Sequence, residues 1–188
     1  MNSFSIESRK ALETLKAGGT ILYPTDTVWG IGCDATDPEA VKKVYDLKQR
    51  PYDQPMICLV SEVFMLKDYV DISEEAMDVI GFAEKPTTII YHSPVGVAGN
   101  LIAPDGTLAV RIVYDEFCRQ LIRELGKPLV STSANLNGQP TPESFQEISE
   151  EILKGVDYVV NLYHHKKCNQ PSSIVKLNKD GRAEVIRE

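Results

Sequence analysis

Thr20-Ile-Leu-Tyr-Pro-Thr-Asp-Thr-Val-Trp-Gly-Ile-Gly32 changes character half-way along. Its first five residues form an apolar run of strand length closed by a proline. The remainder, from Thr25, is too glycine-rich for a helix, and its small hydroxyl residues suit a loop that lines a site. Upstream, Ser5–Ala17 reads as an amphipathic helix: Ile6, Leu12 and Leu15 recur near helical spacing, and Gly18-Gly19 stops it. Downstream, Asp37 is placed to cap a second helix with Pro38 in its first turn, and that helix must end before Pro51.

The same alternation continues. Strands are expected at Met56–Val60, Thr87–Tyr91, Thr107–Ile112, Leu129–Thr132, Tyr158–Asn161, Ile174–Leu177 and Ala183–Ile186, and helices at Glu116–Leu125 and Phe145–Leu153. Between residues 61 and 86, seven acids against two lysines read as solvated helix faces. Strands and helices alternating in this way predict an α/β (α+β) domain with a twisted mixed sheet. No repeat, low-complexity tract or linker divides the chain, so residues 1–188 are read as a single domain.

Composition narrows the function. With 188 residues, 43% hydrophobic and 25% charged, the chain is an ordinary globular one. At that size, folding buries roughly 70% of the unfolded surface without staples. A net charge of -7 argues against tight non-specific nucleic-acid binding, although a local basic pocket fits inside an acidic shell. Cys33, Cys58, Cys118 and Cys168 are far apart and form no CxxC pair, and there are only three histidines, so no metal-ligand spacing is present. Free thiols in a reducing cytoplasm are expected. The N-terminus lacks the apolar stretch of a signal peptide, and no run approaches membrane-spanning length.

Four segments place polar groups at the ends of apolar elements, where open α/β sheets bind ligands. Tyr23-Pro-Thr-Asp-Thr27 reads equally as a capped turn or as a ligand loop. Lys48-Gln-Arg-Pro51 ends a helix; Pro51 moves Arg50 out of helical geometry, so both cations could aim at one cleft, or simply face the helix dipole. In Thr107-Leu-Ala-Val-Arg111 the threonine, alanine and arginine share one strand face. An arginine on a buried strand is costly unless paired or bound, although an edge position would leave it in water. Leu129-Val-Ser-Thr-Ser-Ala-Asn-Leu-Asn-Gly138, continuing to Thr141, runs a strand into hydroxyls and amides that could cap a helix or bind phosphate. Pro171-Ser-Ser-Ile-Val175, with Arg187 beyond it, is a fifth and weaker piece.

Together, Pro-Thr-Asp-Thr with Trp-Gly-Ile-Gly, Lys-x-Arg-Pro, Thr-x-Ala-Val-Arg, Ser-Ala-Asn-x-x-Gly-x-Pro and the late Ser-Ser-Ile-Val with its trailing arginine stand in the order of the YrdC-like family. The chain resembles its short, single-domain form from about residue 8 to 187. The resemblance implies flanking helices around a twisted sheet and a concave cationic cavity. It also implies a nucleotidyltransferase activity that condenses L-threonine, bicarbonate or CO2 and ATP into L-threonylcarbamoyladenylate and pyrophosphate. That product would serve formation of threonylcarbamoyladenosine (t6A) in tRNA.

Carried over by motif, Lys48, Arg50, Ser133 and Asn135 match the catalytic tetrad. Thr27, Arg111, Ser131 and Ser172 match threonine contacts. Arg50, Gln54, Thr107, Ser133, Thr141 and Arg187 match ATP contacts. No protein metal site is implied; Mg2+ would arrive with the triphosphate. The implied partners are the proteins that transfer threonylcarbamoyl to tRNA, with at most a weak, transient tRNA contact and no membrane. Two positions depart from the family's habit: Gln54, where a basic or amide residue is common, cannot neutralise phosphate, and Leu59 stands where many members place a histidine. The alternatives are a paralogue of the same fold with another substrate, a carbamoyl-transferring domain normally found within a longer chain, and an RNA-binding module. A steep salt dependence of RNA binding would favour the last.

Overall fold

The computed structural model describes residues 3–168, 170–178 and 182–188, and one nine-stranded mixed sheet runs through them. Its strands are β1 (Ile21–Tyr23), β2 (Gly30–Gly32), β3 (Ile57–Val60), β4 (Thr87–His92), β5 (Thr107–Ile112), β6 (Leu129–Ser133), β7 (Tyr158–Val159), β8 (Ser173–Leu177) and β9 (Ala183–Arg187). They lie in the order β7-β1-β2-β6-β3-β5-β4-β8-β9. The pairs β1–β7, β3–β5 and β4–β8 are parallel and the rest antiparallel, so the expected mixed sheet is present.

Side chains alternate between two cores on opposite faces. Leu22, Ile31, Cys58, Val60, Ile89, Val110 and Val130 join one, with α2 (Pro38–Lys48) packed there through Val41 and Val44. Ile21, Tyr23, Leu59 and Leu129 join the other, beneath α1 (Ser3–Lys16) and α5 (Glu116–Leu125). Phe4 of α1 meets Phe117 of α5 edge-on, ring centres 5.8 Å apart. These two helices cover only the β1–β6–β3 end of their face. Further along, the same face presents Ser131, Ile57, Ala109 and Ile90 in one cross-strand row and Arg111, Thr88 and Ile174 in the next. That uncovered stretch is where the cavity lies.

Local chemistry explains the ends of α2. Asp37 Oδ1 accepts from the amides of Glu39 and Ala40, Pro38 opens the helix, and Gln49 closes it in the left-handed region at φ 52°. Two expectations are corrected. The tail of the glycine-rich loop, Gly30–Gly32, is a strand, because the Tyr23 ring lies across it and donates its hydroxyl to Val130 O at 3.1 Å. A Cβ on Gly32 would meet Val130 O at 2.4 Å and the Tyr23 ring at 2.8 Å, so only glycine lets these strands pair beneath the ring. The helix expected over Phe145–Leu153 is broken: a 3-10 turn spans Phe145–Glu147, and α6 (Glu150–Gly155) starts afresh where Ser149 caps Ile152 N. The acidic segment forms the short α3 (Val63–Leu66) and α4 (Glu74–Phe82), the latter capped by Ser73. All four cysteines are free and buried, and burial pushes the Cys58 thiol up to about 12.

Candidate functional site

A cavity of about 570 Å³ opens over the uncovered stretch of the sheet. Its floor is the row Ser131, Ile57, Ala109 and Ile90, flanked by Arg111. Its walls come from the Thr27–Val28 loop, from Arg50 with Pro55, from Ser133 and Thr141–Glu143, and from Pro171–Ser172 with Arg187. Sequence segments more than 150 residues apart are thus brought to one opening, as the motif order anticipates.

Arg111 is the anchor. It lies on an interior strand with only 4% of its surface exposed, which excludes the edge position. Nη1 donates to Thr27 Oγ1 at 3.0 Å, and Nη2 sits 3.1 Å from Asp26 Oδ1. Nε–H is buried without a partner. Asp26 is itself fixed, because its Oδ2 accepts from Tyr114 N at 3.0 Å. The loop carrying both is braced from within: Thr25 Oγ1 donates to Val28 O at 2.7 Å and accepts from Thr27 N at 3.0 Å. Behind it Trp29 is wholly buried, packed against Phe145 and His164, whose rings stack 3.6 Å apart. An arginine in this setting is paired with Asp26 and oriented by Thr27 at the edge of the cavity.

The two cations of Lys-x-Arg separate. Arg50 bounds the cavity, with Nε on Gln54 O at 2.8 Å and Nη2 on Pro55 O at 3.1 Å. Lys48 does not bound it: the side chain is 1% exposed, and Nζ donates to the carbonyls of Ser133 and Asn135. Lys48 O in turn accepts from Asn137 N at 2.8 Å, so the end of α2 staples the turn that follows β6. Burial, helped by nearby Arg50, lowers the Lys48 pKa to about 7.

At the far wall, Ser172 Oγ pairs with Thr88 Oγ1 at 2.8 Å, and Ser172 O accepts both Nε and Nη2 of Arg187, at 3.0 and 2.7 Å. Thr88 was not anticipated as a site residue. Strand alternation could have found it, since it stands opposite Arg111 on the same face. Glu143, also unanticipated, puts a carboxylate at the opening.

Among the anticipated residues, Thr27, Arg50, Arg111, Ser131, Ser133, Thr141, Ser172 and Arg187 converge on the cavity. Asn135, Gln54 and Thr107 stand off it along with Lys48. Asn135 donates to Leu136 O and Gln139 O and keeps a buried, unpartnered Oδ1. Gln54 is exposed and offers its main-chain carbonyl to Arg50. Thr107 is buried at the opposite end of β5, bonded to Asp105. Leu59 is fully buried under α1 and α5 rather than in the cavity. Among the described residues, no cluster of His, Cys, Asp and Glu is arranged to hold a metal, and no helix is long and apolar enough to cross a membrane.

Comparison with known proteins places this geometry. The chain is 38% identical over 164 residues to threonylcarbamoyl-AMP synthase of Idiomarina loihiensis, covering 85% of this chain and 88% of that one. It is 40% identical over 159 residues to threonylcarbamoyl-AMP synthase of Xanthomonas oryzae pv. oryzae, covering 80% and 83%. The crystal structure of P. abyssi Sua5 complexed with L-threonine superposes with a TM-score of 0.85 at 25% identity. That alignment covers 100% of this chain and 54% of the longer Sua5 chain, so the present chain spans about half of it. A family model for Sua5_yciO_yrdC, described as "Telomere recombination", matches residues 13–188, and the chain belongs to the Sua5/YciO/YrdC family.

Proposed function

We propose that the chain is an L-threonylcarbamoyladenylate synthase, a nucleotidyltransferase that condenses L-threonine, bicarbonate or CO2 and ATP and releases pyrophosphate. The observation that carries the reading is Arg111 at the cavity, its Nη groups held by Thr27 and Asp26, with Ser131, Ser172, Arg50 and Arg187 converging on the same opening. A carboxylate reaching the cavity floor would meet this guanidinium, whose plane is already fixed by Thr27 and Asp26. Two hydroxyls of the same cavity, Ser131 and Ser172, suit the amine and hydroxyl of threonine, and Ile57, Ala109 and Ile90 suit its methyl group. The names of the Idiomarina and Xanthomonas relatives support the same reading.

In this account the threonine amine adds to CO2, losing a proton and forming an N-carboxylate. One oxygen of that carboxylate attacks the α-phosphorus of ATP, the bond to the bridging oxygen breaks, and pyrophosphate leaves. Arg50, Ser133 and Arg187 bind phosphate oxygens, and Thr141 lies on the nucleotide side. Lys48 acts at one remove, by holding the Ser133–Asn135 turn. Mg2+ enters bound to the triphosphate and needs few protein ligands. The product goes to the proteins that complete t6A on tRNA.

Pyrophosphate release tests the reading. It is expected to need ATP, bicarbonate and L-threonine together, and to fall sharply with L-serine, which lacks the methyl group. Release that ignores threonine would transfer the reading to a paralogue with another acyl acceptor.

A further inference from the structure

Among the described residues that bound the cavity, Glu143 is the one acidic residue, at an opening otherwise supplied with Arg50, Arg111 and Arg187. A carboxylate in such a place would ordinarily be an ion-pair member. Each arginine is engaged elsewhere: Arg50 on two carbonyls, Arg111 on Asp26 and Thr27, Arg187 on Ser172 O. The Glu143 main chain, by contrast, is fixed on both sides. Its N–H donates to Glu147 Oε2 at 2.9 Å and its carbonyl accepts from Cys168 N at 2.9 Å. The side chain is therefore carried on a pinned backbone, is exposed, and makes no hydrogen bond or ion pair among the described residues.

Resting on the synthase reading above, we propose that Glu143 binds the cis-diol of the nucleotide ribose and thereby selects a ribonucleotide over its 2′-deoxy counterpart. The charge pattern carries the argument. A triphosphate seated beside Glu143 would meet like charge, so the polyphosphate belongs at the arginines and a different part of the nucleotide belongs at the acid. Two vicinal hydroxyls are the neutral donors that a carboxylate accepts best, each through one oxygen in a charge-assisted bond. Acidic residues take ribose hydroxyls in the same way in dinucleotide-binding sheets. Thr141, two residues earlier on the same wall, then faces the nucleotide from one side with Glu143. A site built to bond a hydroxyl rejects the analogue that lacks it, because the acceptor is left unpaired.

The test compares ATP with 2′-deoxy-ATP in the pyrophosphate-release assay, for wild type, Glu143→Ala and Glu143→Gln. Wild type is expected to prefer ATP by about tenfold or more in kcat/KM, the scale of one charge-assisted hydrogen bond. Glu143→Ala should cost more with ATP, which loses both hydroxyl bonds, than with 2′-deoxy-ATP, which loses only the 3′ one, bringing the ratio near one; Glu143→Gln should keep part of the preference. Equal losses on both nucleotides, no loss on either, or a weakened Mg2+ dependence in place of a changed ratio would each overturn the proposal, the last in favour of a metal ligand. If wild type releases no threonine-dependent pyrophosphate, the synthase reading fails by itself. Calorimetric titration of the same proteins with the two nucleotides then decides the diol site: a wild-type preference for ATP that Glu143→Ala abolishes sustains it, and equal affinities or no binding reject it.

Discussion

One sheet face has two halves that share strands and differ in every other respect. Under α1 and α5, Leu59, Leu129, Val113 and Phe117 close into a core with almost no exposure. One strand over, Arg111 stands beside Leu59 in the register and two residues before Val113, which lies just past the end of β5, yet it faces a cavity. Neither half is distinguished by backbone geometry. The covered half excludes water through shape, whereas the open half must keep its polar groups paired until a ligand arrives, and it does so with Asp26, Thr27 and Thr88. The same stretch of chain can therefore supply core and site within two residues.

Arg111→Ala should separate the halves most. Removing the guanidinium takes away the proposed carboxylate contact, and a loss of about 10²–10³ in kcat/KM is expected. It also leaves the part-buried Asp26 with the Tyr114 amide but no cation, a cost of about 3 kcal/mol in denaturant unfolding. Adding Asp26→Asn to that variant should recover much of the stability and none of the activity. Recovery of both would mean that Arg111 serves the fold alone. Leu59→Ala makes the complementary break in the covered half: a loss of about 3 kcal/mol in stability with kcat/KM per folded molecule nearly unchanged. A changed threonine KM in Leu59→Ala would show that the two halves are not independent.

Lys48 sits between the two kinds of behaviour, buried like the core and polar like the site. Its pKa of about 7 lies below that of the unfolded chain, so between pH 7 and the ordinary lysine range the unfolded state binds the extra proton. Stability contributed by this group therefore rises with pH through that window and flattens below it. Lys48→Met should abolish that rise, which amounts to at most about 1.4 kcal/mol per pH unit. Identical pH profiles for the two proteins would place the ammonium in solvent contact and undo the staple.

Most of the fold was legible in apolar periodicity and turn chemistry: the Asp37 cap, the proline stop and the strand faces follow from neighbours along the chain. The misread places were decided by distant ones. Gly30–Gly32 pairs as a strand with Tyr23 and Val130 leaving no room for a side chain at Gly32, and Ser149 restarts a helix that periodicity alone would join. The cavity's cations were legible from motif order, whereas Lys48's turn away from the cleft depended on two carbonyls almost ninety residues away. Glu143 carried no motif, and only tertiary placement brings it to the opening; Thr88, buried behind Ser172, was legible only through strand register.

Amide hydrogen exchange, measured with and without L-threonine plus ATP, addresses the contrast between the halves most directly. The account predicts added protection in the loop at 25–29, in β6 at Ser131–Ser133 and at 171–173, with α1 and α5 unchanged. Protection gained on α1 and α5, or absent from the cavity segments while ligand is bound, would contradict it.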